Sequence, residues 1–379
     1  MDNGNFRILN NQTFSTDLRQ PYDGCKFELF KGYEANDESL VRYKEDLIKW
    51  NDELKNNNIL NINYLNYYNH FLAVELTFKR LAKGKFEHFD KVDSIESDWI
   101  DSCYNSGLMF FKEKGTYDCY GYDYSSFYPY IQSQYNFKFP DKKGSEQYIK
   151  VLQDTLQLGY YKVKITSSNP NSKKVFSFSK HHTYTNISLE FAIENKEQFD
   201  FNIELIIDDK PNCYLYDSFV RGSSVFGNWF LKLYKLKLKF PKNKLIKHLL
   251  SSLWGTLCRS NNIRKTWTEI ETENIKICKE KGAKYKIIEF NIYEDKEYYL
   301  LKDLENPYVN NIRIKSFLTS YGRNKVAELA KHNIENVIRI QTDGVVFDKE
   351  IKINDPLLIA EFKTTGSIKF DNLNSYSKI

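Results

Sequence analysis

The sequence predicts an α+β fold with several inserted modules, and three patterns carry that expectation. Residues 1–97 are polar, with apolar residues recurring at helical spacing. Residues 150–215 alternate strand-like runs with polar turns. The last third returns to strands, one helix and a tight hairpin around Asp343.

Within the first region, segment 39–55 is charged, and segment 64–82 (YLNYYNHFLAVELTFKRLA) sets Leu65, Tyr68, Leu72 and Leu76 at helical spacing. From Asp98 to Pro129 the chain becomes short, strand-like and rich in Tyr and Gly. Between 150 and 215 the runs YYKVKIT, VFSFS, ISLEFAI, FNIELII and CYLYDSF read as strands, separated by turns such as SSNPNSKK. Two helices are expected at roughly 223–239 and 244–258, divided by Phe240-Pro241. KYKIIEFNIY and KEYYLL are the next strands, followed by a helix near 317–332 and the hairpin of 337–347. No internal repeat or low-complexity tail interrupts this order.

At 379 residues the chain is long enough for two or more domains with real cores. A hydrophobic content of 41% argues against wholesale disorder, and a net charge of +5 hints mildly at an anionic partner. The six cysteines (25, 103, 119, 213, 258 and 278) include no CxxC pair, and the six histidines complete no zinc pattern. Buried free thiols in a reducing compartment are the expectation. No run approaches the ~18 consecutive apolar residues that a membrane span requires. The N-terminal MDNGNFRILNNQ lacks the apolar core of a signal peptide, so an intracellular, soluble protein with no membrane partner is expected.

Two segments carry carboxylates in strand contexts. In YGYDYSSFYPYI (120–131), Gly121 and Asp123 point to one face of a strand and Tyr122 and Tyr124 to the other. The run Ser125 to Pro129 then breaks the strand and starts a helix, which puts Tyr128 one turn beyond Asp123. An Asp at a strand end is more often a turn former or cap, and read alone this segment identifies nothing further. In VIRIQTDGVVF (337–347), strand, tight Asp343-Gly344 turn and strand follow one another, with Arg339, Gln341 and Asp343 alternating onto one face. That segment alone is an ordinary hairpin. Two carboxylates from distant segments suit phosphoryl transfer, in which two divalent metals about 4 Å apart assist an in-line displacement. Mg²⁺ or Mn²⁺ needs few protein ligands there, because substrate phosphates and water complete the shell.

A third segment, KHLLSSLWGTLC, places Lys247, Ser251, Trp254 and Cys258 on one helix face and Leu245, Leu249 and Leu253 on another. A cation, a hydroxyl and a flat aromatic could meet a triphosphate and a base together; a solvated lysine on an amphipathic helix is the plainer alternative. Lys232, Lys235 and Lys239 share a face of the preceding helix.

Taken together and in this order, the segments resemble the family B DNA polymerases, specifically the protein-primed kind of viruses and mitochondrial plasmids. Asp123, Ser126, Phe127, Tyr128 and Pro129 resemble DxxSLYP. Lys247, Ser252 and Gly255 match KxxxNSxYG, with Ser251 for Asn and Trp254 for Tyr. RIQTDG resembles YxDTDS, with Arg339 for Tyr, Gln341 for the first Asp and Gly344 for Ser. TSYGRNKVAELA (319–330) is similar to the family's YGR-containing helix. CYNSGLMFF is similar to the YxGG segment that guides single strands, matching at Tyr104 and Gly107.

The resemblance implies a polymerase palm whose antiparallel sheet carries the catalytic carboxylates, with helical fingers, an inserted strand-rich module and a helical N-terminal remnant. It implies Asp123 and Asp343 as catalytic residues, and two Mg²⁺ or Mn²⁺ ions held by Asp123, Tyr124 and Asp343. Ser126, Phe127, Tyr128, Lys239, Lys247, Ser251 and Trp254 would bind the nucleotide, and Tyr104, Gly107, Thr342 and Gly344 the DNA. The implied domains are an exonuclease remnant (1–97), first palm part (98–150), terminal-protein-region-like insertion (151–215), fingers (216–262) and second palm part (263–379). Partners would be DNA template-primer, deoxynucleotides, and a terminal protein or separate polymerase fragment. The setting would be a host cytoplasm or mitochondrion. No exonuclease DxE motif precedes Asp123; the Tyr64–Arg80 helix looks like the YxxxD segment but carries Tyr68 and Asn69 where an Asp is expected, and the KxY segment and thumb expected after EFKTTGSIKF are absent or severely shortened. A chain without proofreading and with distributive synthesis follows, and a non-catalytic nucleic-acid-binding remnant is the competing reading.

Overall fold

A computed structural model describes residues 4–8, 14–17, 37–56, 63–64, 70–82, 90–103, 106–277, 283–293, 296–308, 312–352, 355 and 358–378. A hairpin of β1 (Gly4–Ile8) and β2 (Phe14–Asp17) is followed by α1 (Asp37–Lys55), α2 (His70–Ala82) and α3 (Ser94–Cys103). β3 (Leu108–Phe111) and β4 (Gly115–Tyr124) lead into the short helix α4 (Phe127–Gln132). The middle of the chain holds β5 (Lys138–Phe139), β6 (Ser145–Gln147), β7 (Gly159–Ser167), β8 (Thr183–Thr185), α5 (Asn186–Glu194), β9 (Phe201–Leu205), β10 (Cys213–Leu215) and β11 (Val220–Arg221). Then come α6 (Gly222–Lys239), α7 (Lys244–Ser251), α8 (Leu253–Leu257), β12 (Asn262–Lys265), α9 (Trp267–Thr272), β13 (Tyr285–Tyr293) and β14 (Lys296–Asp303). The chain closes through α10 (Ile314–Lys331), β15 (Val337–Thr342), β16 (Gly344–Phe347), β17 (Leu358–Asn372) and β18 (Ser375–Lys378). The expected α+β class is what the structure has. No helix among the described residues is long and apolar enough to cross a membrane.

Two compact units form, each from two distant segments: Met1–Ser94 with Val225–Ile312, and Ile95–Ser224 with Arg313–Ile379. In the first, α2 packs on α7 and α8, and α1 packs on α7. The α2 stripe that turns inward is Ala73, Val74, Thr77, Phe78 and Leu81; Leu72, expected to face the core, is 41% exposed. The helix is rotated because Phe78 stacks on Phe226 at 5.2 Å and meets Trp229 edge-on at 6.1 Å. Leu65 and Tyr68 lie outside the described residues. Asn243 starts α7: its side chain accepts from the Ile246 N–H and donates to Trp50 O and Glu53 Oε2 on α1. Such a cap contributes about 1 kcal/mol, and here it also joins two helices. β12, β14 and β13 make a three-stranded sheet, beside which Thr266 and Glu269 close a capping box on α9.

The helix expected over 244–258 is two helices that meet at Ser252. Hydrogen bonds of helical type cross the junction, from Ser252 N to His248 O and from Thr256 N to Ser252 O, both 3.0 Å. The bend has a local cause: Ser251 Oγ donates to Lys247 O, and serine back-bonding of this sort opens a helix turn. Leu245, Leu249 and Leu253 remain one buried face, as their spacing predicts.

In the second unit a six-stranded antiparallel sheet runs in the order β18-β17-β4-β16-β15-β3. Cys119, Ile338, Val346, Ile368 and Phe370 form a core cluster against it, and α4 and α10 pack together nearby. β6, β10, β7 and β8 form a second sheet, with β9 added to β7. Two expected strands are absent from it. ISLEFAI is the helix α5, capped by Thr185, whose Oγ1 accepts from the Ser188 N–H. Its alternating pattern misleads because Ser188 and Ala192 are as buried as Leu189 and Phe191. VFSFS follows a 3₁₀ turn at Pro170–Lys174 and is irregular. Its Phe176 plugs an aromatic cluster, 5.2 Å from Phe178, 5.6 Å from Tyr184 and 5.1 Å from Phe201.

Where the two segments enter this unit, Glu96 and Arg313 form a fully buried pair. Arg313 Nε and Nη2 donate to the two Glu96 oxygens at 2.5 and 2.7 Å, and the Tyr216 hydroxyl adds a third bond at 2.8 Å. Cys103, Cys119 and Cys213 are buried free thiols that burial pushes up to about 12, 11 and 11 respectively, so they are inert at neutral pH. Cys258 is half-buried, and Cys25 and Cys278 lie outside the described residues.

Candidate active site

β4 lies between β16 and β17, so Asp123 pairs across Gly344 on one side and Ile359 on the other. The Tyr124 N–H donates to the Asp343 carbonyl at 3.1 Å. Asp123 and Asp343 therefore occupy adjoining backbone positions at one end of neighbouring strands. The turn between β15 and β16 is not the expected Asp343-Gly344 pair. Gln341 pairs with Gly344, which leaves Thr342 and Asp343 as the two loop residues. Thr342 takes φ 60°, and the Asp343 N–H closes back on Gln341 O at 2.8 Å. Gly344 is the first residue of β16, and a Cβ there would sit 3.3 Å from Asp123 Oδ1. Its absence keeps open the space beside that carboxylate.

Gly107 lies directly against Thr342, where a Cβ would meet Thr342 Cα and Cγ2 at 2.9 Å. Tyr104 lies outside the described residues. Ser126 precedes α4 in the left-handed region, φ 52°, which makes the sharp exit from β4. Phe127 stacks on Tyr124 at 4.9 Å and lies 5.2 Å from Tyr128. Tyr124 itself is buried, with its phenol raised to about 12 by burial and the neighbouring Asp355; only its main chain faces the Asp343 turn.

The YGR run of α10 supplies three supports. Tyr321 Oη donates to Asn136 O at 2.8 Å. Gly322 admits Tyr128, whose Cε1 would lie 2.9 Å from an added Cβ. Arg323 is buried and donates to Ser106 O (2.9 Å), Ser320 Oγ (2.8 Å) and Ser188 Oγ (3.3 Å), so it fixes the segment that ends in Gly107.

Gln341 is engaged by its neighbours. The Arg339 Nη2 donates to Gln341 Oε1, Gln341 Nε2 donates to Asn374 Oδ1 at 2.8 Å, and Arg339 Nε donates to Leu373 O at 2.6 Å. The Arg339 guanidinium also lies 5.4 Å from the Tyr376 ring. The pair that stands for Tyr and Asp of the family pattern thus anchors the β17–β18 turn.

In the helical unit, Lys247 and Ser251 are exposed and Trp254 is half-buried, on the side away from the Leu245–Leu249–Leu253 face. An added Cβ at Gly255 would meet nothing within 4 Å, so that surface is open. Lys239 lies elsewhere in the unit, at the end of α6, and lines a cleft of about 840 Å³ with Glu45, Asp52 and Glu53 of α1.

The donor chemistry fits divalent cations. Asp123 and Asp343 are hard oxygen donors, and Gly344 leaves a cradle beside Asp123 that a Cβ would fill. Among the described residues no three or more His, Cys, Asp or Glu side chains gather into a cage.

An antiparallel sheet with carboxylates at the end of its central strands, backed by helices and joined to a helical unit, defines a polymerase-like fold. Comparison with solved structures places this fold beside Phi29 DNA polymerase. In its complex with single-stranded DNA the TM-score is 0.60 at 14% identity, covering 93% of this chain and 62% of that one. In complex with primer-template DNA the TM-score is again 0.60, at 14% identity, over 93% of this chain and 61% of the other. With primer-template DNA and incoming nucleotide substrates it is 0.58, at 14% identity, over 93% and 63%. The chain thus spans a little over three-fifths of that polymerase's length. No protein-family model matches the sequence, and no curated protein does.

Proposed function

We propose that the chain is the core of a template-directed DNA polymerase, adding deoxynucleotides to a 3′-hydroxyl by two-metal phosphoryl transfer. The observation that carries this is the backbone adjacency of Asp123 and Asp343 beside the Gly344 opening, in a polymerase-like fold. In this reading the two carboxylates hold two Mg²⁺ or Mn²⁺ ions. Bound there, such ions lower the pKa of the attacking hydroxyl and neutralise charge on the leaving pyrophosphate. Tyr128, locked over Gly322, forms the floor under the nucleotide sugar, and Ser126 and Phe127 set its height. Lys247 meets the triphosphate, Ser251 and Trp254 line the base, and Lys239 contributes to the field that draws the nucleotide in. Gly107, Thr342 and Gly344 lie along the primer strand. The protein-primed branch, with a terminal protein or a second polymerase fragment as partner and a viral or plasmid origin in a host cytoplasm or mitochondrion, is the finer form of the proposal.

Primer extension on a defined template with Mg²⁺ or Mn²⁺ tests it. Asp123→Ala and Asp343→Ala should each abolish extension while leaving template binding within about twofold, since surface contacts to phosphate carry most of that affinity. Normal extension by Asp343→Ala sinks the assignment. The competing reading, a nucleic-acid-binding remnant, draws on the engagement of Gln341 by Arg339 and Asn374. It gains if the intact chain binds template but extends nothing.

A further inference from the structure

Immediately after α4 the chain enters a loop and a two-stranded ribbon, β5 with β11. Tyr135 in that loop is 67% exposed, and Phe219, one residue before β11, is 43% exposed. Between them lies Arg221, with its guanidinium carbon 4.0 Å from the Tyr135 ring centroid and 5.9 Å from that of Phe219. Lys138 covers the Phe219 ring at 4.8 Å. Aromatic and cation thus alternate along one surface: Tyr135, Arg221, Phe219, Lys138.

The row is held rigidly. Arg221 Nη1 donates to Tyr135 O at 3.2 Å, and Gly222 N donates to Phe137 O at 2.7 Å. Gly222 is pressed so closely on α4 that a Cβ would lie 2.0 Å from Gln132 O. The adjacent Asn136 carbonyl is tied to α10 through Tyr321. Large aromatics are costly to leave in water unless something covers them. With the guanidinium against its ring, Tyr135 still keeps most of its surface open to a flat partner.

We propose that Tyr135, Phe219 and Arg221 form a stacking platform for single-stranded DNA. The chemistry is specific to that partner: aromatic faces accept bases of any sequence, while interleaved cations accept the backbone phosphates. Arg221, set between the two rings, supplies the phosphate contact. The nature of the partner rests on the polymerase reading, whereas the test does not require activity.

The experiment measures binding of a fluorescent oligo(dT) to the full chain, without nucleotide, across a salt series. Tyr135→Ala should weaken binding roughly five- to a hundredfold, the range seen for losing one stacked base, with an unchanged salt slope. Tyr135→Phe should restore it. Arg221→Gln should lower affinity and reduce the slope by about 0.7, the loss of one phosphate contact on a single strand. A blunt duplex should be insensitive to Tyr135→Ala. Unchanged oligo(dT) affinity in Tyr135→Ala, or an equal loss on duplex, overturns the platform and leaves the patch to a protein partner. If the intact chain fails to extend primers yet Tyr135→Ala still weakens oligo(dT) binding, the polymerase reading falls and the platform stands. Thermal melts of each variant, expected to match the parent because the rings are exposed, separate unfolding from lost binding.

Discussion

Thr342 is a β-branched residue held at a positive φ, a conformation that costs on the order of 1–3 kcal/mol and persists only where its surroundings impose it. Those surroundings are Gly107 against its Cα and the Gln341–Gly344 pair that brackets the loop. The strain falls on the one residue between the anchored Gln341 and Asp343. Because Gln341 is turned toward Arg339 and Asn374, Gln341→Asp should pair with Arg339 and change extension by no more than about twofold, within the scatter of an exposed ion-pair change. A gain of tenfold or more would show that position 341 faces the metals. Tyr128 invites the converse test. Tyr128→Val removes the ring packed on Gly322 and should raise ribonucleotide over deoxyribonucleotide incorporation in single-turnover assays. An unchanged ratio in an active variant places sugar selection elsewhere.

At the scale of the element, α7 makes a pH prediction. Burial holds His248 down at about 4 against its ordinary 6.5, with Nδ1 3.0 Å from Ser252 Oγ. The unfolded chain takes up a proton near 6.5 and the folded one does not until about 4. The stabilising contribution is therefore complete above 6.5 and lost as pH falls through that window, by up to about 3 kcal/mol. Urea midpoints from pH 7 to 4 should drop more steeply for the parent than for His248→Leu, and parallel curves would refute the assignment. The elements also show what was legible in the sequence. The strands around Asp123 and Asp343 were readable from alternating residue type, Ile338 and Ile340 against Arg339 and Gln341, although the chain buries Arg339 along with the two isoleucines. α5 was not, because burial on most sides erases the helical period, and only its Thr185 cap betrays it. The turn lies one residue earlier than expected because Gly344 is paired in the sheet with Gln341 and with Asp123, a partner distant in sequence.

Across the whole molecule, each unit depends on contacts between its two segments. Glu96 and Arg313 stand where those segments enter the sheet-containing unit, and removing one partner of a buried pair costs about 3–5 kcal/mol. Glu96→Gln or Arg313→Met should each destabilise to that extent in urea melts, and Glu96→Leu with Arg313→Met should recover most of the loss. A cost under about 1 kcal/mol for either single change would mean the pair is solvated in practice. The same interleaving governs how the chain is made. β4 emerges from the ribosome early, carrying four tyrosines (117, 120, 122 and 124), and both of its sheet neighbours belong to the last segment. At roughly 5–20 residues per second it waits on the order of 10–40 s for Gly344 to arrive, with both edges unpaired. The helical unit waits in turn, since residues 1–94 need 225–312. Neither unit can be excised with a single cut, and a nick between Ser224 and Val225 would yield two halves, each of which needs the other to complete either unit.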